Sequence, residues 1–289
     1  MRKMLIIGCG DIGRRIAHIA QRRGESVSAL VRTTQSRSEL QNLKIDVIQA
    51  DLDDEIETLD VDGVRVVYLA PPPRTGTHEM RMKHLLNAIT GSPERFLYLS
   101  TTGVYGNCNG EWVDESRPVA PRVDRTRRRL HAEQQLINAA TQHGWHYVIM
   151  RVAGIYGAQR LPLQRIKERQ PVLLANQAPF TNRIHEDDLA EITLGLLEKG
   201  GSGEIYNVTD GHPGTMSDYF ITVARYAGLP APPEIDIRQA ESELSAGMMS
   251  YLRESRRISN RKMVDLLGAE LRYPTLEDGL KAIFGRRPE

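Results

Sequence analysis

Gly8-Cys9-Gly10-Asp11-Ile12-Gly13 separates an apolar run, Met4-Leu5-Ile6-Ile7, from a helix-forming stretch that opens Arg14-Arg15-Ile16-Ala17. In that setting each glycine answers a steric demand. Gly8 permits a tight turn off a strand, Gly10 lets a pyrophosphate approach the backbone, and Gly13 lets the helix pack close to the sheet. The N–H groups at the helix N-terminus, at the positive end of the helix dipole, then face phosphate. Three glycines alone are a weak signal. Between a strand and a helix they point to dinucleotide binding, with Cys9, Asp11 and Ile12 supplying the rest of the loop.

The type of dinucleotide is read about twenty residues further on. There an acidic side chain takes the adenosine ribose hydroxyls in sites that prefer NAD. Here the second apolar run ends Leu30-Val31-Arg32-Thr33-Thr34, without a carboxylate. Arg32 offers a planar, permanently charged fork suited to a phosphate, and Thr33 a neutral donor. The expected cofactor is therefore NADP(H), with NAD as the alternative. After the third apolar run, Asp51 is placed to accept from the adenine amino group while Leu52 covers the ring. Asp51 also reads as a helix N-cap in Asp51-Leu52-Asp53-Asp54. Ala70 and Pro71, where the fourth run ends, and Ala153, just past the sixth, complete the candidate cofactor-binding set.

Six short β-type runs carry these positions: 4–7, 26–31, 46–50, 64–70, 95–100 and 147–152. Helical segments such as 14–22, 78–90 and 126–143 lie between them. Such alternation predicts an α/β fold, a Rossmann-type doubly wound parallel sheet with helices on both faces. After about residue 155, proline and glycine punctuate shorter elements, as in Leu229-Pro230-Ala231-Pro232-Pro233. The expected organisation is a nucleotide-binding domain over 1–155 and a smaller C-terminal substrate lobe over 156–289. Segments near 183–208, including a strand at 204–208, return to the first sheet.

A length of 289 residues allows one large domain or two smaller ones. A formal net charge of +1 argues against a chain built to hold nucleic acid or an anionic membrane, leaving a small-molecule substrate as the expected partner. The two cysteines, Cys9 and Cys108, are too few for a disulfide framework and fit a reducing compartment. The first apolar run stops after four residues, too short for a signal-peptide core. Cytoplasmic location is the expectation.

The fifth run continues Leu97-Tyr98-Leu99-Ser100-Thr101-Thr102-Gly103-Val104-Tyr105-Gly106. With the glycine loop in front, and with Arg151-Val152-Ala153-Gly154-Ile155-Tyr156-Gly157 and Arg183-Ile184-His185-Glu186-Asp187-Asp188 behind, the chain resembles the extended short-chain dehydrogenase/reductases, the NAD-dependent epimerase/dehydratase group. The likeness runs through nearly the whole chain. It implies a hydroxyl role for Thr101 and a Tyr-x-x-x-Lys dyad on the following helix. No Tyr-x-x-x-Lys occurs in the sequence, and the two positions fall on Arg125 and Arg129. The family tyrosine exchanges a proton with the substrate hydroxyl, which an arginine cannot do near neutral pH. Arg129 could still bond the nicotinamide ribose, so Thr101, Arg125 and Arg129 form the candidate catalytic set. Ile7 also stands where the group's first loop glycine falls. The resemblance implies an NAD(P)-binding oxidoreductase or epimerase/dehydratase-like protein acting on a nucleotide sugar or other small polar substrate. The missing dyad keeps a non-catalytic NADP(H)-binding sensor or scaffold as the rival.

Tyr105, Tyr156, His185 and Cys108 are the other groups able to move a proton, all expected in loops and better explained by packing or exposure. His185-Glu186-Asp187-Asp188 reads as a turn with Asp187 or Asp188 capping a helix over 189–197. Arg122, Arg125 and Arg127-Arg128-Arg129 read as an anion site or a solvated helix face, with Glu133 one turn beyond Arg129.

Overall fold

The computed structural model describes residues 2–268 and 270–285. Two compact units emerge, one formed by Met1–Val104, Pro121–Arg151 and Leu189–Tyr206, the other by Tyr105–Ala120, Val152–Asp188 and Asn207–Glu289.

The first unit holds all of a seven-stranded parallel sheet except Val152, Asn207 and Val208, the last residues of two of its strands. Its strands are β1 (Lys3–Ile7), β2 (Ser26–Val31), β3 (Asp46–Gln49), β4 (Arg65–Tyr68), β5 (Arg95–Thr101), β6 (Tyr147–Val152) and β7 (Glu204–Val208). Their order is β7-β6-β5-β4-β1-β2-β3. The chain builds outward from β1 to β3, then returns to add β4 on the other side of β1. The direction of winding thus reverses between β1 and β4, the place where ligands bind in open α/β sheets. Central strands are apolar on both faces, as a covered parallel sheet demands: Met4, Ile6, Ile7, Val66 and Val67 are all fully buried. At the edge, β3 is largely exposed.

The helices of this unit include α1 (Asp11–Arg22), α2 (Thr34–Asn42), α3 (Met80–Ala88) and α4 (Asp124–His143). On α1 the buried residues Ile12, Gly13, Ile16, Ala17 and Ala20 fall on one face at helical spacing. On α4, Leu136 and Ala140 are buried while Leu130 and Ile137 are half-buried. A left-handed Gly144 ends α4, closing it with a bond to the Ala140 carbonyl.

In the second unit the strands are short and paired two by two. Gly154–Tyr156 runs parallel to Arg183–His185, and Phe180–Thr181 antiparallel to Gly214–Thr215. Helix Met216–Tyr226 starts with a capping box between Thr215 and Asp218 and buries Phe220, Val223 and Ala224 in a core shared with Ile166 and Leu280. No helix among the described residues is long and apolar enough to cross a membrane.

Candidate functional site

The glycine loop sits at the winding reversal. Gly8 leaves β1 with φ +85°, and a Cβ there would lie 2.6 Å from the Ala70 backbone, just past β4. Only glycine satisfies both conditions. A Cβ at Gly13 would come within 3.1 Å of Cys9 Sγ and 3.2 Å of Ile6 Cγ2, so this glycine sets how closely α1 lies on the sheet. Gly10 differs from both, since a Cβ there would meet nothing within 4 Å. Its backbone faces open space at the N-cap of α1, and the N-cap supplies no side-chain acceptor to the first turn. Open space beside the backbone and the N-terminus of α1 coincide at Gly10, an arrangement able to hold a phosphate.

Around the loop, Cys9, Ile12, Leu52 and Ala70 are buried, whereas Gly10, Asp11, Arg32, Thr33 and Pro71 are exposed. Burial pushes the Cys9 thiol up to about 12, which makes it an inert packing group. Thr33 caps α2: its Oγ1 accepts from Ser36 N at 3.2 Å. Asp51 does not start a helix. It makes a tight turn instead, Oδ1 accepting from Asp53 N at 3.0 Å. Ala153 belongs to the second unit, where its N–H donates to the Val208 carbonyl at 3.0 Å.

Thr101 closes β5 half-buried, with Oγ1 accepting from Gly103 N at 3.1 Å. A Cβ at Gly103 would lie 2.7 Å from Thr126 Cγ2, so the start of α4 lies against the end of β5. One turn on, Arg129 Nη1 donates to the Leu99 carbonyl at 3.2 Å and lies 3.4 Å from the Tyr98 hydroxyl. Arg125 sits one helical turn before Arg129, half-buried. The basic cluster therefore divides. Arg128 is buried and donates to the Gly76 carbonyl, while Arg127 is exposed and pairs with Asp124 at 3.0 Å.

Glu133 is the tie that fixes this helix. Its Oε1 accepts from Ser100 Oγ on β5 at 2.5 Å and from Arg151 Nε on β6 at 3.2 Å, and its Oε2 from Arg151 Nη2 at 2.8 Å. Glu133 is 1% exposed. The partner expected from helical spacing was Arg129; the carboxylate faces inward instead, because strand β6 carries a buried guanidinium that needs it.

A second buried carboxyl, Glu79, is 1% exposed and caps α3. Its Oε1 accepts from Arg81 N at 3.0 Å and Met82 N at 3.3 Å, and its own N–H donates to His131 Nδ1 at 2.9 Å. Burial raises its pKa from 4.5 to about 7, outweighing those donors. The folded protein thus holds the proton more tightly than the unfolded chain. Its stabilising contribution is complete below about pH 4.5 and is lost as pH rises to about 7. Replacing Glu79→Gln should flatten that slope, which is at most about 1.4 kcal/mol per pH unit. Urea unfolding of both proteins across this range checks it; an unfolding free-energy difference that is flat with pH contradicts the assignment.

Several expectations for the remaining groups are corrected. Tyr156 and His185 lie on paired strands rather than in loops, Tyr156 with its hydroxyl donating to the Thr275 carbonyl at 3.2 Å. Tyr105 closes a short 3-10 turn, fully buried, and bonds Asn207 Oδ1 at 2.9 Å. The helix expected over 189–197 begins at Glu186, running Glu186–Lys199. Asp187 and Asp188 therefore lie inside the helix rather than at its N-cap position. His185 Nδ1 accepts from Asp187 N at 3.1 Å, and Asp188 accepts from the backbone of Arg272 and Tyr273 at 2.8 and 3.0 Å.

A parallel sheet in this strand order, with a glycine turn at its reversal point, defines a Rossmann-type nucleotide-binding fold. The chain belongs to the NAD dependent epimerase/dehydratase family, whose model matches residues 4–209. Human dTDP-D-glucose 4,6-dehydratase is 30% identical over 123 residues, which are 40% of this chain and 35% of that protein. The match to that relative thus spans about a third of its length. A 4-hydroxy-2-methyl-3-oxo-4-farnesyl-3,4-dihydroquinoline-1-oxide ketoreductase from Stigmatella aurantiaca is 26% identical over 301 residues, 96% of this chain and 89% of that one. Among solved structures, a conserved protein of unknown function from Silicibacter pomeroyi superposes with TM-score 0.83 at 26% identity, covering 99% of each chain.

Proposed function

We propose that the protein is an NADP(H)-dependent oxidoreductase of the epimerase/dehydratase type, acting on a nucleotide sugar or another small molecule. The observation that carries this reading is the division of labour in the glycine loop: Gly8 and Gly13 are required by packing, while Gly10 is left open beside an uncapped helix N-terminus. A pyrophosphate fits there. The similarity to a dTDP-sugar dehydratase supports a nucleotide sugar, and the similarity to a ketoreductase supports a carbonyl substrate of another kind. Bound there, the nicotinamide would supply or accept hydride. Thr101 would hold the reacting oxygen, and Arg129, braced by the Leu99 carbonyl, would bond the nicotinamide ribose. Arg125 contributes charge but does not deprotonate near neutral pH, so proton transfer would fall to another group or to water.

One observation favours a second reading. Arginine at both dyad positions suits a protein that binds the cofactor and closes on it without chemistry, a sensor or scaffold. The two separate on stereospecific hydride transfer. An enzyme transfers deuteride from 4-deuterated NADPH to the carbonyl carbon of at least one member of a panel of nucleotide 4-keto-sugars and small ketones. Binding without exchange across the panel supports the sensor.

Cofactor choice gives a second test. A charge-assisted bond from Arg32 to a 2′-phosphate contributes about 1.5–3 kcal/mol where well formed. NADPH is expected to bind more tightly than NADH, with Arg32→Ala removing most of the difference in calorimetric titrations. Equal or tighter binding of NADH by the wild type would count against Arg32 as the phosphate reader.

A further inference from the structure

The acidic residue absent from the end of β2 is supplied in space by the turn after β3. Arg32 Nη1 lies 3.7 Å from Asp53 Oδ2, an ion pair too long to be a hydrogen bond. The same carboxylate is gripped from the other side by Arg81, Nε to Oδ1 and Nη2 to Oδ2, both at 2.6 Å. Arg81 in turn donates from Nη1 to the Pro71 carbonyl at 2.7 Å. Asp53 is therefore a fixed charge, held by α3 at the end of the sheet where Arg32 leaves β2. Arg81 also keeps its carboxyl below the usual carboxylate range, and Arg32 adds to this.

We propose that Asp53 is a specificity-determining residue, a fixed negative charge beside Arg32 that weakens the hold on a 2′-phosphate and narrows the gap between NADPH and NADH. The proposal rests on the dinucleotide site and on Arg32 as its phosphate reader. A phosphate reaching Arg32 must share the guanidinium with Asp53 and approach a like charge that Arg81 prevents from swinging away. A ribose hydroxyl carries no such charge and is spared the penalty. The two cofactors thus respond differently to one carboxylate, which a purely structural role for Asp53 does not produce.

The test is calorimetric titration of NADPH and NADH into wild type, Asp53→Asn and Asp53→Glu. Asparagine keeps an acceptor for Arg81 while removing the charge; glutamate keeps the charge. Asp53→Asn is expected to raise the NADPH-to-NADH affinity ratio about three- to tenfold at low salt, with the gain shrinking as salt screens it. Asp53→Glu should stay near the wild-type ratio. An unmoved ratio in Asp53→Asn, or equal weakening of both cofactors, overturns the proposal alone. Failure of the wild type to bind either cofactor overturns the dinucleotide reading and the proposal with it.

Discussion

Gly10→Val is expected to leave the protein folded and to lower NADPH affinity by about 100-fold or more, roughly 2.7 kcal/mol. Two residues earlier in the same loop, Gly8→Val is expected to act in the opposite sense, on the fold itself. At Gly10 a side chain meets no protein atom, and the backbone, at φ −80°, admits any residue. The only thing a valine there can obstruct is a ligand. At Gly8 a side chain would need φ +85° and would meet the Ala70 backbone at 2.6 Å, where nothing flexible can yield. The left-handed conformation and the overpacking together should cost about 2–5 kcal/mol. Circular dichroism melts and calorimetry on both variants read the two effects separately. A folded Gly10→Val with unchanged NADPH affinity would remove the pyrophosphate assignment. A Gly8→Val as stable as the wild type would contradict the packing of the turn.

Glu133→Ala is expected to lower stability by about 3–5 kcal/mol, the loss found when one partner of a buried ion pair is removed. Arg151 would be left with its charge inside the sheet, and Ser100 without its acceptor. The double variant Glu133→Leu, Arg151→Met should recover most of that loss, because an apolar pair of similar volume has no charge to desolvate. The carboxylate also ties α4 to β5 and β6, so the single variant should loosen the position of Arg129 relative to Thr101. Urea unfolding of the single and double variants decides the matter. A single-variant loss below about 1 kcal/mol would mean the pair is solvated rather than buried.

Much of the sheet was legible before the structure. Central strands such as Met4–Ile7 and Val66–Tyr68 are continuous apolar runs, the composition that strands covered on both faces favour. The packing roles of Gly8 and Gly13 are legible for the same reason, since sterics act through the residue's own identity. Helix α2 was not. Its sequence, Thr-Gln-Ser-Arg-Ser-Glu-Leu-Gln-Asn, buries only Leu40, so it carries no apolar stripe. Its one signal, the N-cap Thr33, was read as a cofactor donor. Arg151 inside an otherwise apolar strand is a signal for a buried anion that the sequence reading missed, because helical spacing directs Glu133 to Arg129 instead. The Asp53–Arg81 pair joins residues 28 apart through a fold-dependent contact, and no local pattern encodes it.

The most direct measurement is calorimetric titration of NADPH, and separately NADH, into the full chain. The glycine loop at the sheet's reversal point and the fork at Arg32 predict one site per chain, with NADPH bound more tightly than NADH. Absence of binding heat for both dinucleotides, together with no shift in melting temperature when either is added, would contradict the assignment of this loop to a dinucleotide.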